Sequence, residues 1–191
     1  MSRAPKHRQA IIDAAVDLFR RQGYAGTGLN DIVKASGAPK GSLYHYFPDG
    51  KASIAEAAVL EAGHRVAQTV QDVADRSAST GELLIGHATL LAGWMKESGY
   101  RDGSPATTVL LEMAPDDRAV TLAGREISAA WRNVLTEKLI ADGVPARRAP
   151  RLAILCVAAL DGALVQARVQ QSGDPIMTAA EELQSLLAAI I

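Results

Sequence analysis

"GAPKGSLYHYFPDGK", residues 37–51, crowds three aromatic rings and a histidine into four consecutive positions, Tyr44, His45, Tyr46 and Phe47. The whole chain of 191 residues has only eight Phe, Tyr and Trp, and one face of a short helix cannot bury four rings. Pro39 is tolerated in a first helical turn and Pro48 lies just beyond the last, so the stretch predicts a short helix between them. Leu43 and Phe47 are its most apolar residues and stand four apart, so both are expected to face the core. That choice turns Lys40, Ser42, Tyr44 and His45 outward and leaves Tyr46 at the margin.

Upstream, Leu29 to Ser36 reads as another short helix with Ile32 and Val33 inward and Gly37 at its close. Before it, Ile11, Ala15, Leu18 and Phe19 keep helical spacing from about Lys6 to Gln22, and Gly23 supplies a stop. Two short helices joined by a glycine turn and backed by a third make a helix-turn-helix, whose second helix can enter the roughly 12 Å major groove of B-DNA. In that frame Pro39, Lys40 and Gly41 open the reading helix. Lys40 and the free N–H groups there attract a phosphate, and Gly41 lets the backbone come close. Ser42 can bond a base edge, while Tyr44 and His45 offer polar atoms to phosphates and flat faces to thymine methyls. Lys51 adds a positive end to the following helix, and the Thr27 hydroxyl either donates to a phosphate or only caps. The leading "SRAPKHR" is expected as a free tail, with a minor-groove contact from Arg3 or Arg8 as the alternative.

Charge supports this division. Residues 1–51 carry eight Lys and Arg against four acids, a net of +4, and the remainder carries twelve against seventeen, a net of -5. A basic head that meets a polyanion and an acidic body that does not would give this asymmetry, as would scattered surface charge.

The stretch "TGLNDIVKASGAPKGSLYHYFPDGK" resembles the DNA-binding head of the tetracycline-repressor (TetR) family of bacterial transcription factors, through its order of Thr27, Ile32, Gly37, Lys40-Gly41-Ser42-Leu43-Tyr44 and Phe47. Its flavour is most similar to the LmrA/YxaF-like subgroup. The resemblance covers residues 8 to about 60. It departs from the common pattern after Phe47, where Pro48-Asp49-Gly50-Lys51 is one residue longer and Ala52 stands in place of an acid. The resemblance implies a dimer whose two heads read a palindromic operator and leave it when a small molecule enters the body.

The rest of the chain also reads as helix, near residues 50–74, 81–97, 106–113, 117–142, 148–171 and 175–191, with no strand-like alternation. The expected fold is therefore all-α, about nine helices, with a helix-turn-helix domain over residues 1–51. A long fourth helix leads from it into an effector-binding and dimerisation domain over residues 52–191. In the last helix Ile176, Ala180, Leu183, Leu187 and Ile190 form a stripe, and before it Leu152, Leu155, Ala159, Gly162, Ala163 and Gln166 form one that is small in the middle. Two such helices from each of two chains would make a four-helix bundle, as the resemblance also implies, and packing within one chain is the alternative.

For an effector, Trp94 and Trp131 fall on inward faces, and Met95, Leu110, Met113 and Leu160 can line the same region; plain core packing is the alternative. Glu112 or Asp161 would face a cationic ligand, and Gln166 would bond a neutral one.

No phosphate loop, nucleophile elbow or dinucleotide fingerprint occurs, so no catalytic residue and no cofactor are expected. Glu61-x-x-His64 has the spacing of half a di-metal site but lacks its second half, so it reads as a solvated face and no metal is expected. His87 reads as a core or pocket histidine and Cys156 as a small buried hydrophobe. No uninterrupted apolar run reaches the roughly 18 residues of a membrane span, and the N-terminus has no apolar leader, so the expected place is the cytoplasm. A helical small-molecule- or metal-binding protein or enzyme without an operator is the competing function.

Overall fold

Nine helices and no strand run through the residues that the computed structural model describes, 3–190, with side chains from Lys6 onward. They are α1 (Arg3–Gln22), α2 (Leu29–Ser36), α3 (Lys40–Tyr46), α4 (Lys51–Ala74), α5 (Thr80–Glu97), α6 (Pro105–Met113), α7 (Arg118–Ala141), α8 (Ala149–Gln170) and α9 (Asp174–Ala188). The fold is all-α. The free N-terminal tail is a correction: α1 begins at Arg3 and carries Pro5 in its first turn, where the missing N–H costs nothing. The Arg3 side chain lies outside the described residues.

Packing divides the chain into two compact units, Met1–His64 with Ser104–Ile127, and Arg65–Gly103 with Ser128–Ile191. Compactness thus assigns α6 and the first part of α7 to the unit that holds α1, α2 and α3, a different partition from the division expected at residues 51 and 52.

In the first unit α1 turns Ile11, Ile12, Ala15, Val16 and Phe19 inward against Ile32 of α2, Leu43 of α3, and Ile54, Ala58 and Val59 of α4. Val109 and Met113 of α6 and Val120 of α7 complete this core. Gly28 precedes α2, its N–H donating to the Asp31 carboxylate at 3.1 Å, and Gly37 ends the helix in the left-handed conformation. Helix α2 is therefore fixed at both ends by local chemistry.

In the second unit α8 buries Ala149, Ala153, Cys156, Leu160, Ala163 and Ala167, and α9 buries Ile176, Ala180, Leu183 and Leu187. Both stripes advance by three or four residues, the spacing of one helix face. Leu83, Leu84 and Ala88 of α5 and Leu135 and Leu139 of α7 close the core. Asp142 accepts from the Thr80 N–H, and Lys138 Nζ donates to the Ser77 carbonyl at 2.6 Å, tying the end of α7 to the start of α5.

By length and composition alone α8 is apolar enough to cross a bilayer, although Asp161 interrupts its apolar run. One of its faces is packed in the unit; the other leaves Ile154, Leu155, Val165 and Val169 exposed, Val169 by 74%.

Candidate nucleic-acid interface

The α3 helix has two faces of opposite character. Leu43 and Phe47 are 1% and 2% exposed, anchored in the first unit's core, so the backbone cannot roll without breaking that packing. Lys40, Gly41, Tyr44 and His45 lie on the exposed side, Tyr44 by 50%, with Ser42 and Tyr46 half-buried beside them. The His45 and Tyr46 rings meet edge to face at 4.9 Å, which limits the swing of the imidazole.

At the start of α3, Pro39 stands in the N-cap position with no side-chain cap, and the Ser42 N–H already turns back to the Pro39 carbonyl at 2.8 Å. The N–H groups of Lys40 and Gly41 have no partner within a helix, as at any helix start, and they sit beside the Lys40 side chain. A Cβ added at Gly41 would meet nothing within 4 Å. Packing within the chain therefore does not demand glycine there. Arg8 of α1 places its guanidinium 5.6 Å from the centre of the Phe47 ring, so an exposed cation from another helix stands beside the end of α3.

Two residues expected at this surface are elsewhere. Thr27 is buried; its hydroxyl donates to the Gly23 carbonyl at 2.7 Å and accepts from Gln22 Nε2 at 3.3 Å. It closes the turn between α1 and α2, and Gly28, not Thr27, precedes α2. Lys51 is half-buried, with its ammonium 4.1 Å from the centre of the Tyr24 ring and donating to the carbonyls of Tyr24 and Thr27 at 2.9 and 3.0 Å. An ammonium held by two carbonyls and a ring is seated inside the fold; the residue acts as a strut of the turn. The longer Phe47-Pro-Asp-Gly-Lys51 connection departs from the common family pattern at this point.

Of the residues expected to hold an effector, Met95, Leu160 and Trp131 share the second unit's core, and the others do not join it. In the second unit Met95 and Leu160 are buried, but Gln166 is exposed on the other side of α8, and Trp94 is 45% exposed. Leu83, His87, Leu90 and Trp94 do share one stripe of α5, yet only its first half is covered: His87 is 1% exposed, whereas Leu90 and Trp94 are open. Trp131 is half-buried and meets the His87 ring edge-on at 5.5 Å. Leu110 and Met113 belong to the first unit. Glu112 is a further correction: its carboxylate accepts backbone N–H bonds from Tyr24 and Ala25, so it does not await a cation. An open recess of about 440 Å³ is lined by Leu18, Gln22, Gly26, Asp31, Lys34 and Ala35, none of them an expected effector residue.

Three titrating groups of the second unit are set by burial. Both nitrogens of His87 are buried without a hydrogen-bond partner, and desolvation pushes the imidazole down to about 4, so it is neutral at pH 7. Desolvation raises the Asp161 carboxyl. Burial lifts the Cys156 thiol to about 11, keeping it an unreactive thiol at neutral pH. Among the described residues no group of His, Cys, Asp and Glu could hold a metal ion, and His64 instead lies 3.5 Å from Glu126.

Sequence and structure comparisons give the family. Residues 11–58 match the family of bacterial regulatory proteins of the tetR type, and residues 81–182, just over half the chain, match the C-terminal domain of LmrA/YxaF-like transcriptional regulators. The chain is similar to the HTH-type transcriptional regulator YxaF of Bacillus subtilis, 31% identical over 94% of either chain. Over 52 residues it is 48% identical to IcaR of Staphylococcus aureus, the HTH-type negative transcriptional regulator of the biofilm operon icaADBC, a match that covers 27% of each chain. A TetR transcriptional regulator from Chloroflexus aurantiacus superposes with a TM-score of 0.81 at 26% identity, covering 98% of this chain and 97% of that one. These relatives are regulators, not enzymes. The chain belongs to the TetR family of DNA-binding transcriptional regulators, and its body is of the LmrA/YxaF-like type.

Proposed function

We propose that the chain is a homodimeric repressor, working in the cytoplasm, that holds a palindromic operator through residues 1–51 and is released when a small molecule binds within residues 52–191. The observation that carries this reading is the two-faced α3 helix: burial of Leu43 and Phe47 holds Lys40, Gly41, Ser42, Tyr44 and His45 outward on a rigid element. Lys40 and the first N–H groups of α3 bind phosphate, and Ser42 and Tyr44 read base edges and thymine methyls. Repression is the sense supported by the likeness over 52 residues to the negative regulator IcaR.

Dimerisation is supported by α8 and α9. Ile154, Leu155, Val165 and Val169 of α8 and Leu186 of α9 form an exposed apolar face in a single chain, of the sort that a second copy covers about a two-fold axis. Operator affinity then depends on the spacing of two reading helices, roughly 34–36 Å for successive major grooves. The effector site is supported by the unpartnered neutral imidazole of His87 and its neighbour Trp131, a hydrogen-bonding group beside an aromatic wall.

Sequencing genomic DNA fragments retained by the purified protein tests the function directly. An inverted repeat bound with submicromolar, salt-sensitive affinity is expected; retention of no sequence in preference to bulk DNA would leave the competing reading, a helical ligand-binding protein, in place. On the retrieved duplex Lys40→Ala is expected to weaken binding about ten-fold for every sequence and to lower the slope of log K against log salt by about 0.9 for each head. Substitutions at Ser42 should reorder which sequences are preferred. Unchanged affinity of Lys40→Ala at moderate salt would show that α3 meets DNA by another face or not at all.

A further inference from the structure

The turn between α1 and α2 is gripped from two directions by charged side chains that are far from it in sequence. From α6, the Glu112 carboxylate accepts the Tyr24 N–H at 2.8 Å through Oε1 and the Ala25 N–H at 2.7 Å through Oε2. From the start of α4, Lys51 holds the carbonyls of Tyr24 and Thr27. Two of the turn's N–H groups thus go to an anion and two of its carbonyls to a cation, so backbone groups otherwise left to water are fixed by charged side chains. Gly23 makes the grip possible. It adopts φ +77°, and a Cβ there would stand closer to Glu112 Oε1 than van der Waals contact allows.

This arrangement has no purpose that core packing supplies. Glu112 is exposed, and an exposed glutamate on a short helix gains little by itself. What the bond does is join α6 to the turn that leads into α2, and α2 leads through Gly37 into α3. Ser104–Ile127, which carries Glu112, is the part of the first unit that the chain enters from Gly103 and leaves into Ser128, both in the second unit. A segment joined covalently to the second unit at both of its ends therefore helps to hold the turn.

We propose that Glu112 is a positioning residue for operator reading: its carboxylate fixes the α1–α2 turn, and through it the aim of α3, without touching DNA. The inference rests on operator binding by α3 as proposed above, and adds that the aim depends on α6. Because Glu112 lies off the reading face, its loss alters the fraction of heads correctly aimed while the number of phosphates met by a bound head stays the same.

The test uses the full-length protein, Glu112→Gln and Glu112→Ala, and the inverted-repeat duplex that the wild-type protein retrieves. Glutamine keeps the shape but presents an amide that can accept only one of the two N–H bonds. Both variants are expected to bind the duplex about ten-fold more weakly with the salt slope of the wild type, while the denaturation midpoint is nearly unchanged and hydrogen exchange at the Tyr24 and Ala25 amides accelerates. Faster exchange at those amides with wild-type affinity would overturn the proposal, because the turn would then be loosened without consequence for reading. Unchanged exchange would overturn it as well, since the carboxylate would not be holding the turn. A lowered salt slope would overturn it by placing Glu112 among the groups that set phosphate contacts. If Glu112→Ala unfolds the head, the isosteric Glu112→Gln decides the matter. Failure of the wild-type protein to retrieve any sequence refutes operator reading itself, an outcome separate from these.

Discussion

Leu155→Arg is expected to convert the protein from dimer to monomer and to lower its operator affinity by at least about a hundred-fold. Leu155 lies 51% exposed on the face of α8 that it shares with Ile154, Val165 and Val169, so arginine there disturbs nothing inside one chain. Across a two-fold axis each substitution is made twice, and two guanidinium groups would have to be buried or the interface abandoned. Arg151 stands one turn away on the same exposed side and adds repulsion. Without the second head, the simultaneous engagement of two half-sites is lost. Sedimentation equilibrium gives the association state, and titration of the retrieved duplex gives the affinity. A variant that stays dimeric and binds as tightly as wild type would show that this apolar face is not where copies meet.

The second large effect concerns pH. His87 is neutral in the folded protein because burial pushes its imidazole down to about 4, against an ordinary value near 6.5 when unfolded. Below about 6.5 the unfolded chain takes up a proton that the folded chain refuses, so stability that is complete above that pH drains away as pH falls towards 4 and then levels off. The loss is on the order of 3 kcal/mol. His87→Phe keeps a flat ring against Trp131 and removes the titration. Its stability relative to wild type, measured by urea denaturation, should be constant above pH 7 and should tilt in the variant's favour by about that amount between pH 6.5 and 4. Parallel pH profiles for the two proteins would mean that the imidazole reaches water or a partner.

The helices were legible in the sequence because their punctuation is local. Gly23, Gly37, Pro39 and Pro48 mark ends that the chain itself enforces, and Leu43 with Phe47 declares which side of α3 is buried. Periodicity assigns a face but does not say what covers it. Leu83, His87, Leu90 and Trp94 are one stripe by spacing, and the structure covers its first half only. Cations posed the converse difficulty. Lys40 and Lys51 look alike in a sequence near a presumed phosphate, yet one is exposed while the other bonds carbonyls more than twenty residues away. Glu112 and Tyr24 are 88 positions apart, and no pattern of residue types reports a bond between a side chain and a distant main-chain N–H. A glycine at Gly23 was the only local trace, and it reads equally well as a simple helix stop.

Cys156, the sole cysteine, is 1% exposed on the packed stripe of α8 and holds its proton far above neutral pH. Alkylating reagents therefore meet neither a surface nor a thiolate in the native state, and labelling must wait for α8 to part from its neighbours. The rate at which iodoacetamide modifies the protein is a clock for that opening, with a stoichiometry of one and no engineered probe. An effector that tightens the second unit would slow the clock, which provides a screen for candidate ligands that needs no knowledge of the operator.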